Sequence, residues 1–214
     1  MTVRLPESPG TCSLCGAVST PRKILSHLAT CAPAHDASGR ARAIVRRRFR
    51  SAGDPRYWLY LEASADALLE DVDYLLRKVW LECCGHMSAF FAGRREELGM
   101  GEKVGAVLAT PGFRFSHEYD FGSTTILAGR VGGTRKGSLG TDNVRLLARN
   151  DFEPESCSKC SAQASVVCSL CLDTGHVDQA YLCGEHSPDH HCSPWKTLLP
   201  VVNSPRMGVC GYGG

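Results

Sequence analysis

Cysteine and histidine residues are concentrated in one segment near the carboxyl end of the chain, at spacings typical of metal ligands. The segment contains four short pairs: Cys157 with Cys160, Cys168 with Cys171, Cys183 with His186, and His190 with Cys192. A gap of one or two residues lets both side chains of a pair reach the same ion. Thiolate and imidazole are ligands that zinc prefers, so the segment predicts two tetrahedral zinc sites.

The spacing leaves two features of these sites open. We expect a cross-brace arrangement, as in modules that resemble RING, MYND or B-box domains, in which the first pair shares an ion with the third and the second pair with the fourth. In a sequential arrangement, neighbouring pairs share an ion instead. His191 is an alternative to His190 as a ligand. In either arrangement four protein ligands fill the coordination sphere, which indicates structural rather than catalytic zinc.

A third ligand set lies near the amino end and has the pattern C-x2-C-x11-H-x3-C, formed by Cys12, Cys15, His27 and Cys31. Thr20 can cap a helix and Pro21 suits its first position, so a helix is expected to follow. The histidine and the last cysteine are four residues apart, which places them on one face of that helix. The pattern predicts a CCHC zinc finger over residues 10–33. Together with the two carboxyl-terminal sites, it gives a predicted total of three zinc ions per chain.

Composition limits the classes of protein that are consistent with the chain, which has 214 residues, twelve cysteines and a net charge of +2. No apolar run approaches the roughly 18 residues of a transmembrane helix, and MTVRLPESPG at the amino end lacks the apolar core of a secretory signal. Paired cysteines without such a signal favour metal binding in the reducing cytoplasm over disulfide bonds. We therefore expect a cytoplasmic protein with no membrane partner. The glycine-rich loop GGTRKGSLG does not follow the phosphate-binding loop pattern, so no nucleotide cofactor is expected.

Hydrophobic patterning between the two cysteine-rich segments predicts an α+β domain. The pattern indicates a β-hairpin at 43–50 and 56–63, strands at 113–120 and 124–132, and an amphipathic helix at 65–81. We expect a small antiparallel sheet with covering helices over residues 43–150, plus two small zinc-stabilised modules at 10–33 and 155–193. Prolines in residues 194–214 predict an irregular carboxyl-terminal tail.

Four stretches of the central region follow one another in the order seen in a known family: YWLYLE, DALLEDVDYLLRKVW, CGHMSAF and FRFSHEYDFG. With these stretches the region resembles the plasmid ORF-3-like family, first named from an Ri plasmid and also seen as a passenger gene of insertion elements. The resemblance implies a compact α+β domain in a bacterial, plasmid- or mobile-element-associated protein. It covers neither zinc module, and the chain departs from the family pattern at 123–127, where STTIL replaces the usual Asp, Trp and His.

The most basic stretch of the chain follows the finger and contains Arg46, Arg47, Arg48 and Arg50. Arginines beside a zinc finger suit contacts with nucleic-acid phosphates. On a strand, however, alternate arginines reach opposite faces, and an arginine-rich edge strand also resists aggregation. We expect a non-catalytic zinc protein that binds a macromolecular partner, either nucleic acid or protein. The alternative is an enzyme whose nucleophile and base lie near Cys84 and His86.

Overall fold

The computed structural model of the protein describes residues 8–93 and 95–214. They form two compact units, one of residues 8–78 with Met87–Asp151 and one of Val79–His86 with Phe152–Gly214. Residues 1–7 lie outside the described residues. The predicted absence of a secretory signal rests partly on this stretch. Within the described ranges no helix combines the length and the apolar character needed to cross a bilayer.

A nine-stranded antiparallel sheet forms the frame of the first unit. Its elements in chain order are β1 (Gly10–Cys12), β2 (Val18–Ser19), α1 (Pro21–Ala34), β3 (Arg42–Ser51), β4 (Trp58–Ser64), α2 (Leu69–Leu76), β5 (Ser88–Ala92), β6 (Glu96–Leu98), α3 (Val104–Val107), β7 (Arg114–Tyr119), β8 (Thr125–Gly137) and β9 (Val144–Asn150). A π-helical turn, Arg77–Leu81, follows α2. Across the sheet the strand order is β2-β1-β9-β4-β3-β8-β7-β5-β6, so the amino-terminal hairpin lies at one edge.

Helix α1 packs on one face of the sheet, at the side formed by β1, β9 and β4. Ile24, Leu28 and Cys31 recur at helical spacing and are buried, because these positions share one face of a helix. They pack against Trp58 and Tyr60, which alternate along β4 and therefore lie on the same face of the sheet. The two aromatic rings meet edge to face at 5.7 Å. This core fixes the finger helix on the sheet.

Two neighbouring arginines of β3 show that the opposite face is covered by α3. The Arg46 guanidinium donates to the Leu28 carbonyl of α1 at 3.2 Å. The Arg47 guanidinium donates to the carbonyls of Val104 at 3.5 Å and Leu108 at 2.9 Å, in and just after α3. Because successive side chains of a strand reach opposite faces, α1 and α3 lie on opposite sides of the sheet.

The second unit has a much smaller core. Its elements are β10 (Val166–Cys168), α4 (Ser169–Asp173), a 3₁₀ turn at Val177–Gln179, β11 (Tyr181–Leu182) and β12 (Leu198–Pro200). The strands pair antiparallel in the order β11-β10-β12. One buried cluster contains Val167, Cys168, Cys171, Ala180 and Leu199, of which two are cysteines. Trp80, Leu81, Leu182 and Tyr212 are also buried. We expect a core of this size to offset only part of the conformational entropy of the unit.

The predicted α+β class is confirmed, and the predicted hairpin is present as β3 and β4, paired in register from Ile44–Ser64 to Arg50–Trp58. The predicted helix at 65–81 is shorter in the structure, because α2 ends at Leu76 and gives way to the π-helical turn. The predicted irregular tail contains the short strand β12. The finger is also joined to the sheet rather than set apart, since β1 pairs with β9.

Candidate functional site: metal centres and an arginine surface

The finger residues Cys12, Cys15, His27 and Cys31 converge at the edge of the large sheet. The first cysteine ends β1, and the second lies in the turn that follows. The backbone of that turn closes through a hydrogen bond from the Gly16 amide to the Cys12 carbonyl at 2.9 Å. A left-handed φ of 76° at Gly16 suits the residue that adopts this conformation at no steric cost. The two remaining ligands come from successive turns of α1, and Cys15 Sγ lies 3.2 Å from His27 Nε2.

The carboxyl-terminal ligands adopt the cross-brace arrangement, one of the two that the sequence leaves open. The first and third pairs converge, with Cys160 Sγ 3.9 Å from Cys183 Sγ and Cys183 Sγ 3.2 Å from His186 Nδ1. Cys157 completes this set. Ligands that are 23 to 29 residues apart in the chain therefore meet at one point.

The second and fourth pairs form another set, and it contains His190 rather than His191. Cys168 Sγ lies 3.5 Å from Cys192 Sγ, and Cys171 Sγ lies 3.4 Å from His190 Nε2. His190 is buried, whereas the neighbouring His191 is exposed and lies outside the cluster. Burial lowers the pKa of His190, which favours the neutral imidazole that a metal ion requires.

A fourth set was not predicted as a metal site from the sequence: Cys83, Cys84, His86 and Cys210. Cys84 Sγ lies 3.0 Å from His86 Nε2 and 3.5 Å from Cys210 Sγ. In each of the four clusters the ligand atoms lie within 4.8 Å of one another, and each cluster holds three cysteines and one histidine. The four sets together use all twelve cysteines of the chain. The cysteine count could have pointed to this fourth set, since the three predicted sites use nine of the twelve cysteines and leave three unassigned.

The pKa values of the thiols differ between clusters according to their hydrogen bonds. Burial acts to raise the pKa of Cys157, but amide hydrogen bonds from Cys183 and Lys159 outweigh it and hold the value at about 6. In contrast, hydrogen bonds with Cys210 and then Cys83 raise the pKa of Cys84 to about 12. Several thiols at one point resist simultaneous ionisation, and a bound divalent cation would reverse that preference. The four clusters are thus compatible with zinc binding.

The arrangement around Cys84 does not favour the alternative of a catalytic thiol. A nucleophilic cysteine has a lowered pKa and an adjacent cationic or basic partner. Here the pKa is raised, and His86 Nε2 lies 3.3 Å from Cys210 Sγ as well as near Cys84. The histidine is shared among thiols, as a metal ligand would be, rather than paired with one nucleophile.

A second feature of the first unit is an arginine surface, which we define as Arg48, Arg50, Arg114 and Arg130. These side chains line a concave space of about 340 Å³, together with Ala128 and Gly129. Strand register brings them together, since Arg48 lies opposite Arg130 in β3 and β8, and Arg130 lies opposite Arg114 in β8 and β7. Among the described residues that line the space, none is acidic. Arg114 and Arg130 are exposed and the other two are half-buried.

The arginine surface differs from the set predicted from the sequence. Arg47 does not belong to it, because the side chain is fully buried on the opposite face and donates to backbone carbonyls. Burial lowers the pKa of Arg47 to about 9. Arg46 is half-buried, and its guanidinium is engaged by α1. Arg48 and Arg50 remain, and Arg48 also lies over the Tyr60 ring at 5.8 Å.

Acidic and histidine side chains of β7 have structural partners of their own. His117 is fully buried and places Nε2 2.7 Å from Asp73 Oδ1, which also accepts a hydrogen bond from Ser88 Oγ at 2.7 Å. Glu118 pairs with Arg95 at 3.2 Å. These contacts tie β7 to α2 and to the loop before β6.

Comparison with known proteins assigns no family to this chain. No protein-family model matches it, and no curated protein matches it. Among solved structures, the crystal structure of MM3350, a protein of unknown function from Methanosarcina mazei Go1, is similar with a TM-score of 0.41 and 11% identity, over 50% of this chain and 67% of that one. A likeness of this size assigns no function. The resemblance to the plasmid ORF-3-like family stays a prediction.

Proposed function

We propose that this protein is a zinc-stabilised scaffold that binds nucleic acid through the arginine surface, while its metal centres hold the fold and take no part in chemistry. The observation that carries the proposal is the convergence of Arg48, Arg50, Arg114 and Arg130 on one concave space whose described lining includes no acid. The predicted association with plasmids or mobile elements is consistent with a nucleic-acid partner.

The chemistry of the surface suits phosphate. A guanidinium presents a planar fork of donors that matches phosphate oxygens, and it keeps its charge at any physiological pH. The four arginines lie on three adjacent strands, so they form a two-dimensional patch rather than a single point charge. Contacts to phosphates carry no direct sequence information, so we expect binding with little sequence preference. The net charge of +2 limits non-specific affinity to what this local patch supplies.

Fluorescence anisotropy with labelled single-stranded DNA, duplex DNA and RNA tests the proposal. We expect binding at 50 mM salt that weakens as salt increases, because bound phosphates release counterions. The triple variant Arg48→Gln, Arg114→Gln, Arg130→Gln should weaken binding at least tenfold. It should also flatten the plot of log affinity against log salt, by about 0.9 for each lost phosphate contact on duplex DNA.

A charge-matched control separates a local surface from overall charge. Lys78, Lys136 and Lys159 are exposed and lie outside the arginine surface. Changing all three to glutamine removes as much positive charge as the arginine variant does, but should leave the salt slope unchanged. Equal losses in the two variants, or no binding by the wild-type protein at 50 mM salt, would contradict the proposal.

A further inference from the structure

We propose that Cys83, Cys84, His86 and Cys210 bind a fourth zinc ion, and that this ion fastens the carboxyl-terminal tail to the segment Val79–His86. This goes beyond the proposed function, because it concerns neither the arginine surface nor the three zinc sites that spacing predicts. The chemistry of the donors, three thiolates and one imidazole, selects a soft or borderline divalent ion of tetrahedral preference.

The ligand atoms of this cluster are close enough together to share one tetrahedral ion. With zinc–sulfur bonds of about 2.3 Å and zinc–nitrogen bonds of about 2.0–2.1 Å, ligand atoms should be about 3.5–3.8 Å apart. The two sulfur–sulfur separations are 3.6 Å between Cys83 and Cys84 and 3.5 Å between Cys84 and Cys210. His86 Nε2 lies closer than the ideal, at 3.0 Å from Cys84 Sγ and 3.3 Å from Cys210 Sγ. The other three clusters show corresponding separations of 3.2–3.9 Å.

The backbone around the cluster is shaped to bring these ligands together. Gly85 has a φ of 80°, and its amide donates to Glu82 Oε1 at 2.6 Å, so the chain turns sharply between Cys84 and His86. Cys210 has a φ of 56°, a left-handed conformation that costs energy for a residue with a Cβ. Such a conformation persists when surrounding bonds over-determine it, and ligation of the sulfur to a metal is a bond of that kind.

A second contact also joins the segment Val79–His86 to the carboxyl-terminal tail, the two segments that the ion would link. Ser204 Oγ donates to the Trp80 carbonyl at 2.6 Å, and both residues are buried. Cys84 and Cys210 are 126 positions apart in the chain, so a metal bridge between them closes a very long loop. Closing a long loop restricts the unfolded chain, and zinc bonds do so while adding their own binding free energy.

The fourth site also differs from the others in its access to solvent. Each of the other three clusters contains at least two buried cysteines, whereas every ligand of the fourth is half-buried or exposed. Water and chelators therefore reach its metal bonds more readily. We expect this ion to be the first that a chelator removes, with the tail released before the remaining sites lose metal.

Metal analysis of the full chain tests the proposal directly. We expect four zinc ions in the wild-type protein and three in Cys210→Ser. In a timed reaction with the chromogenic chelator 4-(2-pyridylazo)resorcinol, the wild-type protein should release one zinc in a fast phase, and Cys210→Ser should lack that phase. Three ions in both proteins would overturn the proposal, as would a release profile that the substitution leaves unchanged.

A ligand exchange keeps the test informative if Cys210→Ser is poorly folded. His86→Cys preserves four ligands and should still bind four metal ions. After cobalt substitution, the fourth thiolate should increase the thiolate-to-cobalt charge-transfer absorption over that of the wild-type protein. His176→Cys is the matched control, because His176 is exposed in the same unit and belongs to no cluster. Cobalt spectra that are identical for His86→Cys and His176→Cys would overturn the assignment.

Discussion

At the scale of single residues, two adjacent histidines have opposite surroundings. His190 is buried with Nε2 3.4 Å from Cys171 Sγ, whereas His191 is exposed. We expect His190→Ala to lower the zinc content by one ion per chain, because the remaining three ligands hold the metal less tightly. His191→Ala should leave the zinc content unchanged. Inductively coupled plasma mass spectrometry on dialysed protein measures both, and equal zinc in the two variants would contradict the assignment.

Substitutions of two arginines of β3 should have separate effects, one on the stability of the fold and the other on nucleic-acid binding. Arg47 is buried and donates to the Leu108 carbonyl at 2.9 Å, so Arg47→Gln should lower the free energy of unfolding by about 1.5–3 kcal/mol. It should not change the salt dependence of nucleic-acid binding. Arg50→Gln should reduce the salt slope with a smaller effect on stability, because Arg50 lines the arginine surface. Urea unfolding and anisotropy titrations on both variants check this prediction, and a reduced salt slope in Arg47→Gln would contradict it.

At the scale of elements, a charged network joins the end of α1 to the sheet. Arg135 of β8 donates to Asp36 at 2.7 and 2.8 Å and to the buried Glu62 of β4 at 2.7 Å. Arg145 of β9 also donates to Glu62. Hydrogen bonds from Arg135, opposed by partial burial, leave the pKa of Asp36 below its usual range. The network therefore holds the finger helix against three strands through a carboxylate that must be ionised.

The lowered pKa of Asp36 gives a pH dependence with a definite sign. A carboxyl group whose pKa is depressed by folding adds stability above its unfolded pKa of about 3.9, and this stability is lost as the pH falls through the folded value. Asp36→Asn should therefore lower the free energy of unfolding by about 1–2 kcal/mol at pH 7, a figure that allows for the partial exposure of the side chain. The difference between the two proteins should shrink progressively below a pH of about 4. Urea unfolding across this range measures the difference, and zinc lost at low pH affects both proteins alike. Asp142→Asn, at an exposed aspartate, should show no such trend.

Local spacing accounts for what could be predicted from the sequence, and strand register accounts for most of what could not. His27 and Cys31 are one helical turn apart, so the finger follows from the order of residues. By contrast, Arg114 joins Arg48 only because β8 lies between their strands. Cys210 meets Cys84 across 126 positions, a distance that no spacing rule covers. The cross-brace pairing and the choice of His190 likewise depend on how the second unit folds.

At the scale of the whole molecule, the two units should respond differently to the loss of metal. The first unit has an extensive core on its sheet, including Trp58, Phe49 and Leu61. The second has the small core around Val167 and contributes the ligands of three of the four clusters. We expect its folding free energy to come largely from metal binding, which is of order 10–16 kcal/mol for a structural zinc.

Chelation should therefore unfold the second unit and spare most of the first. In metal-free protein, hydrogen exchange measured by mass spectrometry should show amides of Phe152–Gly214 exchanging at nearly unprotected rates. Amides of β3, β4 and β8 should stay protected, because they lie in the interior of the sheet. Restoring zinc should restore protection. Strong protection of β10 in the metal-free protein would show that the unit folds without its ions.

The position of the finger hairpin determines which strands of the sheet are open to pairing with other chains. β1 and β2 have three and two residues, and they cover the side of the seven-residue strand β9 that would otherwise be a sheet edge. At the other edge lies β6, which is also only three residues long. An uncovered strand of seven residues presents a row of unpaired amides and carbonyls to other chains. We therefore expect that zinc in the finger, by keeping this hairpin closed, prevents β9 from pairing with strands of other chains.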